Sequence, residues 1–273
     1  MFEKFKTGWE LLLKGDFAPF WEILIHGKLY RKYYDWLFLF QKKNKAEITD
    51  HVLKVETEHR VAFDSPDHIA PVGTKQDNST NRAFILLMNK LLAREFPNSQ
   101  LKFLDLGCSG GQLVKDFKDL GYVSAGLEGS DYSLKHNRAN WPLLANKSLF
   151  TCDISKPFEI KSADKRLKFN LITAWEVLEH IRKEELDNVF RNIIDHLEEG
   201  GYFIASTSSS SSMSGGLELH QTRMVNEEWR KYLQERFKEL TPVDLGLKYY
   251  QYVRFGYTDI HGTISFLVYR KVK

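Results

Sequence analysis

Glu176, Glu179 and His180 follow one another at i, i+3 and i+4, so a helix begun by that point would carry two carboxylates and an imidazole on one face. An imidazole titrates near working pH, which makes His180 a candidate general base, with Glu176 beside it as a second catalytic candidate. A further histidine, His220 in LELHQTRM, follows a serine-rich stretch and is a candidate base or substrate contact. Upstream, the polar run 64–81, DSPDHIAPVGTKQDNSTN, gathers His68, Lys75, Asp77 and Asn78. A run with this many hydrogen-bonding groups either folds back over a site or simply makes turns.

A second group of candidates sits at the ends of short apolar runs. In LDLGCSGGQL a strand ends at Asp105, and Gly107, Gly110 and Gly111 lead into a helix. Such a turn lets backbone amides approach a ligand beside a helix N-terminus. It lacks both the GxGxxG spacing of dinucleotide folds and the lysine of a phosphate-binding loop. The next run ends at Glu128, placed like the acidic residue that accepts hydrogen bonds from a ribose diol. The third ends at Asp153, suited to an exocyclic adenine amine, and the fourth at Trp175, whose ring can pack on an adenosine or a substrate.

The elements that must position these residues follow from periodicity. KFLDLG, VSAGLEG, SLFTCD, FNLITAW and YFIAST alternate with amphipathic stretches, the pattern of a doubly wound, mostly parallel α/β sheet. Gln112 to Leu120 reads as a helix closed by Gly121, and Leu186 to Leu197 as one closed by Gly200 and Gly201. A helix ahead of the sheet carries Phe84, Leu87, Met88, Leu91 and Leu92, with Asn78 or Ser79 as its cap and a stop before Pro97. After the fifth run, STSSSSSMSGG (206–216) reads as a mobile loop at the carboxyl edge of the strands, a lid or a linker. A helix near Asn226 to Phe237 and aromatic stretches at Tyr249 to Phe255 and Thr263 to Tyr269 suggest a closing antiparallel hairpin. Residues 1–45 are dense in aromatics interleaved with lysine and read as short helices. These pack on the main domain or a second subunit, or lie weakly on a membrane surface.

Composition bounds the partners. Of the 273 residues, 39 are Lys or Arg and 36 Asp or Glu, a net charge of +3 that gives no electrostatic case for nucleic acid. The two cysteines, Cys108 and Cys152, supply neither a disulfide framework nor a zinc-ligand spacing, and Cys108 reads as buried filler rather than a nucleophile. No apolar run approaches the roughly 18 residues of a spanning helix, and the start lacks the order of a secretory signal, so a cytoplasmic location is expected.

Taken in order, DLGCSGG, GLEGS, TCDI, WEVLEH and LEEGGYFIAST resemble the successive motifs of class I S-adenosylmethionine-dependent methyltransferases. The resemblance is strong from Lys102 to Thr207 and holds only in outline in the tail. It implies a Rossmann-like seven-stranded sheet over 99–273, with 1–98 as a helical extension and polar loop. It implies S-adenosylmethionine as methyl donor, the methionine part held by Asp105 and the turn of Gly107, Gly110 and Gly111. Glu128 would take the ribose hydroxyls, while Asp153 and Ile154 frame the adenine. Cys108, Gln112, Gly129 and Trp175 complete the cofactor-binding candidates, and Ser109 stands where many members have glycine. The EVLEH segment is especially similar to ubiquinone-type and small-molecule O-methyltransferases. That points to the hydroxyl of a small molecule or sugar unit as acceptor; the alternatives are an RNA or protein methyltransferase and a non-catalytic cofactor-binding subunit. Some relatives use a comparable glutamate and histidine cluster to hold a divalent metal, whereas many others bind none, so no metal ligand is assigned.

Overall fold

Strands buried on both faces read as continuous apolar runs, and the five recognised in the sequence are of this kind. The computed structural model describes residues 30–43, 51–248, 251–254 and 263–272; the rest of the aromatic N-terminal segment and residues 255–262 lie outside these. Helix α1, Arg31–Lys43, turns Phe38 inward and leaves Tyr33, Trp36, Leu39 and Phe40 exposed. After strand β1, Leu53–Glu56, the polar run carries two short helices. Helix α2, Pro66–Ile69, starts on the Ser65 hydroxyl, which accepts the Asp67 N–H, with proline at the first helical position. Helix α3, Val72–Gln76, follows.

Helix α4, Arg82–Glu95, stops before Pro97 as expected, but its cap is Asn81 rather than Asn78 or Ser79. Asn81 Oδ1 accepts the N–H of Ala83 at 3.0 Å and of Phe84 at 3.5 Å. Asn78 is engaged elsewhere: its Oδ1 accepts the N–H of Gln112 at 3.0 Å, capping the next helix across space.

The central layer then alternates strand and helix: β2 (Lys102–Leu106), α5 (Gln112–Asp119), β3 (Val123–Glu128), the short α6 (Tyr132–Lys135) and α7 (Trp141–Leu144), and β4 (Leu149–Thr151). Strands β5 (Glu159–Ser162) and β6 (Lys165–Arg166) leave this layer and join β1 in a three-stranded antiparallel sheet. The main sheet resumes with β7 (Phe169–Trp175), α8 (Leu186–His196) and β8 (Leu197–Ser208). The tiny hairpin β9 (Met213–Ser214) and β10 (Leu217–Glu218) comes next, then α9 (Asn226–Arg236), β11 (Leu240–Pro242) and β12 (Ile264–Lys271).

The seven-stranded order is β11-β12-β8-β7-β2-β3-β4. Strands β8, β7, β2, β3 and β4 are parallel, and β12 runs antiparallel between β8 and β11. The antiparallel edge is therefore present, but among the described residues β12 pairs with Leu240–Pro242 and β8; of the aromatic stretch 249–255, residues 252–254 form bends, and Tyr249, Tyr250 and Phe255 lie outside the described residues. A second difference concerns Gly200 and Gly201, which do not close α8. The helix ends at His196 and β8 begins at once; Leu197 pairs with Phe169 and Tyr202 with Leu171, so the intervening residues form an irregularity inside the strand. Gly200 takes φ +75° there.

Two apolar layers flank the sheet. Leu104 and Leu106 belong to one, with Phe190 and Trp229 from α8 and α9; Phe103 belongs to the other, with Phe84 from α4 and Phe117 from α5. Strand alternation thereby puts Asp105 on the side of Phe103. Phe190 is fully buried among the rings of Phe203, Trp229, Tyr232 and Phe237 at centroid distances of 5.3–6.4 Å. Phe190→Ala is expected to cost about 3–5 kcal/mol, read as a lower urea midpoint with unchanged slope.

Candidate active site

A cavity of about 600 Å³ opens at the carboxyl ends of β2, β3 and β7, where the strand order reverses. Of the residues singled out in the sequence, Gly107, Glu128, Gly129, Asp153, Ile154, Trp175, Glu176, His180 and His220 line it. Asp105 is 4 % exposed and lies behind the wall, its Oδ1 accepting the Thr173 hydroxyl at 2.6 Å. Cys108 is buried against Gly126 and Val114, and burial raises its thiol well above the usual range. Gly110, Gly111 and Gln112 shape the turn and not the wall. Gln112 Nε2 donates to Asp116 at 2.9 Å and its Oε1 accepts from Asn140 at 3.2 Å.

The turn is shaped by what crosses it. Gly107 has φ +69°, and a β-carbon there would collide with the Val177 side chain; one on Gly110 would collide with the Asn78 carboxamide. Glu128 holds the turn from β3: one carboxylate oxygen accepts the Ser109 N–H at 2.7 Å and the other the Ser130 N–H at 3.2 Å. Burial raises the Glu128 pKa, and these two N–H donors pull it back down. At the next strand end, Asp153 Oδ1 accepts from the Ser155 backbone at 2.9 Å and its hydroxyl at 2.7 Å. Trp175 Nε1, buried on the lining, has no hydrogen-bond partner among the described residues, and neither has Glu176 Oε1.

Glu176, Glu179 and His180 do not share a helical face. Glu176 sits in the left-handed region at φ +54°, and the helical turn is a single 3₁₀ turn over Leu178–His180. Glu179 therefore points inward: fully buried, it accepts the Ser208 N–H at 3.0 Å, and burial pushes its pKa far up. His180 faces the cavity beside His220, ring centroids 4.8 Å apart in an edge arrangement. Burial, then the neighbouring His220, hold His180 down at about 3, so it is neutral across the physiological range.

The serine-rich run is a built loop rather than a bare linker. Glu218 at its end accepts the N–H groups of Ser212 at 2.8 Å and His220 at 3.0 Å, and His220 Nδ1 donates to Ser210 O at 2.6 Å. One ligand atom each from Glu179, His180 and His220 lies within 4.8 Å of the others. Two of the three donors are imidazoles, whereas magnesium is usually held by oxygen ligands; the Glu179 oxygen that Ser208 does not engage, Oε2, has no hydrogen-bond partner among the described residues.

The polar run folds back over the cavity. Backbone bonds of the residues just ahead of it tie this strap on: Ala62 N–H to Gly129 O and Asp153 N–H to His59 O, both 2.9 Å. The Ser109 hydroxyl adds a bond to Asp77 O at 2.9 Å. Within the strap, Asp67 and Asp77 line the cavity, whereas His68 packs edge-on against Phe63 and Lys75 lies over the Tyr132 ring. Burial, then the charge of Glu128, raise the Asp67 pKa to about 7; burial raises Asp105 to about 8.

A glycine turn with ordered strand-end carboxylates is one half of the evidence for a class, and sequence similarity supplies the other. Residues 79–247, more than half of the chain, match the family described as methyltransferase domain. The chain belongs to the class I S-adenosylmethionine-dependent methyltransferases. Among similar methyltransferases, the mitochondrial ubiquinone biosynthesis O-methyltransferase of Candida albicans is 29 % identical over 43 % of this chain and 35 % of its own length. The Bartonella quintana ubiquinone biosynthesis O-methyltransferase is 26 % identical over 62 % of this chain and 68 % of its own. The match thus spans about a third of the Candida protein and about two thirds of the Bartonella one. Among solved structures, an S-adenosylmethionine-dependent methyltransferase from Clostridium acetobutylicum aligns with a TM-score of 0.48 at 14 % identity, covering 75 % of this chain and 98 % of that one.

Two cavity residues of this methyltransferase carried no signal in the sequence. Asp67 lies in SPDHI, whose Ser–Pro start announces a helical turn but not a site. Arg254, in the tail, reaches Asp77 Oδ1 at 2.8 Å and lines the cavity with its Nε buried and unpaired.

Proposed function

We propose that this enzyme methylates a hydroxyl group of a small molecule or sugar unit. The observation that carries the reading is one cavity lined by both donor-site and base candidates. Gly107 of the glycine turn, Glu128 and Asp153 line it together with His180 and His220. The curated relatives named above, both described as O-methyltransferases, support oxygen as the target. In this reading the catalytic unit is 99–273, and 1–98 is an extension whose strap covers the site.

S-adenosylmethionine supplies an activated methyl group on a sulfonium. The chain's part is to orient that group in line with the acceptor oxygen and to remove one proton. His180 takes the hydroxyl proton as the oxygen lone pair bonds to the methyl carbon, and the broken carbon–sulfur bond leaves its electron pair on sulfur. Glu128 accepts from the ribose hydroxyls, Asp153 and Ile154 frame the adenine, and Asp105, behind Gly107, favours the cationic methionine end.

The test is incubation of the full chain with S-adenosylmethionine and separate pools of catechols, free and nucleotide-linked sugars, amines and total RNA, read by mass spectrometry. A one-methylene gain confined to hydroxylated small molecules is expected; gain on amines or RNA alone sinks the proposal.

Cofactor affinity is expected to depend on pH with a defined sign. Asp67 and Asp105 are held up at about 7 and about 8, so near neutrality the empty site retains protons. A ligand bearing a sulfonium and an ammonium favours the ionised carboxylates, and its binding releases those protons. Affinity for S-adenosylmethionine therefore rises with pH through 7 and levels off above about 8, by up to roughly tenfold per pH unit for each proton released. Calorimetry in buffers of different ionisation enthalpy counts the protons; a flat profile between pH 6 and 8 contradicts the assignment.

A further inference from the structure

His180 does not stand alone on its wall of the cavity. Asp67 Oδ2 lies 3.0 Å from His180 Nδ1, and the carboxylate is brought there by α2 of the strap. Asp67 precedes the segment that matches the methyltransferase domain family, which begins at residue 79. The contact is therefore a feature of this chain's extension rather than of the matched domain.

We infer that Asp67 and His180 form a positioning pair, in which the Asp67 carboxylate holds the imidazole as its Nδ1–H tautomer and leaves Nε2 to take the acceptor's proton. The inference rests on His180 acting as the base in the reading above. Three observations support it. The 3.0 Å separation is within hydrogen-bond reach, although Nδ1 as placed makes no hydrogen bond to any described residue, a misalignment common before a catalytic complex tightens. Both groups line the same cavity. The strap carrying Asp67 is fixed by backbone bonds at Gly129 and Asp153, the same strand ends assigned to the cofactor, so a filled cofactor site and a seated Asp67 are mechanically linked.

The charge balance follows. When the hydroxyl proton moves to Nε2, the imidazole becomes a cation, and the carboxylate at Nδ1 offsets that charge without itself accepting the proton. The groups facing the pair set its surroundings: Glu128 from β3, His220, the Leu219 backbone and Glu218 at the end of the serine-rich loop, and Arg254 from the tail. His220 cannot play the same part toward Asp67, because its own Nδ1 donates to Ser210 O.

The test reads the tautomer directly and needs no acceptor. In long-range ¹H–¹⁵N spectra of the full chain with S-adenosylhomocysteine, the His180 signals, identified by their loss in His180→Gln, are expected to report Nδ1–H. Asp67→Ala is expected to redistribute them toward Nε2–H. An Nε2–H tautomer in the unsubstituted protein, or an unchanged tautomer in Asp67→Ala, overturns the pair whatever the acceptor is. On the hydroxylated acceptor found by the pool assay, Asp67→Asn is expected to lower kcat about 10- to 100-fold with melting temperature unchanged. Adding it to His180→Ala is expected to cost nothing more. Independent, additive losses overturn the pair while leaving His180 as base; a His180→Ala enzyme at full rate removes both readings.

Discussion

Glu128→Ala is expected to weaken S-adenosylhomocysteine binding by about two to four orders of magnitude. Hydrogen bonds to a charged acceptor are each worth roughly 1.5–3 kcal/mol, and a ribose diol presents two donors. The carboxylate can receive them although it already accepts from Ser109 and Ser130, because two oxygens offer about four acceptor sites. Those same two bonds create a second effect, since removing the carboxylate leaves two N–H groups at the glycine turn without their partner. The losses separate experimentally. Denaturation of the ligand-free protein reads the turn, at about 1–3 kcal/mol for each orphaned N–H, and calorimetry reads the ribose contacts. Affinity within a few-fold of the unsubstituted protein would show that the diol is held elsewhere and would undo the assignment of this strand end.

The sheet was legible in the sequence because its information is local. Five apolar runs, three of them ended by a glycine or a carboxylate, mark the five parallel strands, and parallel crossovers leave few topologies to choose from. The donor side was legible for the same reason: Gly107, Glu128, Asp153 and Trp175 each end a run, and the fold brings run ends together. What stayed hidden depends on contacts between distant segments. Nothing near Asn78 indicates that its side chain would cap α5 instead of starting α4. Nothing near Asp67 points to His180, whose contact exists only because the strap is tied to Gly129 and Asp153. The EVLEH segment misled in a different way. Its i, i+3, i+4 spacing suits a helix, but Glu176 takes a left-handed conformation as β7 ends, with its N–H held by Ser206 O. One residue of altered backbone therefore removes the shared helical face that spacing alone predicts, although the charge of Glu176 still acts on Glu179.

His180→Ala is expected to lower kcat on a hydroxylated acceptor by about 10²- to 10⁴-fold, the usual worth of a positioned base, while S-adenosylhomocysteine affinity stays within twofold. A histidine held down at about 3 looks at first too weak a base for this task. The relevant proton, however, is not that of a free alcohol. As the acceptor oxygen bonds to the methyl carbon it becomes positively charged, its remaining proton turns strongly acidic, and a weak but correctly placed imidazole suffices. The low value has its own consequence, because a base already neutral at pH 5 imposes no loss of rate between pH 7 and 5 by its own protonation. Any acid limb in kcat must then come from groups such as Asp67, held at about 7. His220→Ala separates the two imidazoles. With its Nδ1 bound to the Ser210 carbonyl, His220 has, among the described residues, no carboxylate in an ion pair with it that would stabilise an imidazolium. A smaller loss is expected there, carried mainly by KM for the acceptor. Should His220→Ala lose kcat to the larger extent and His180→Ala retain it, the roles of the two histidines are reversed and the base stands on the serine-rich loop instead of at the end of β7.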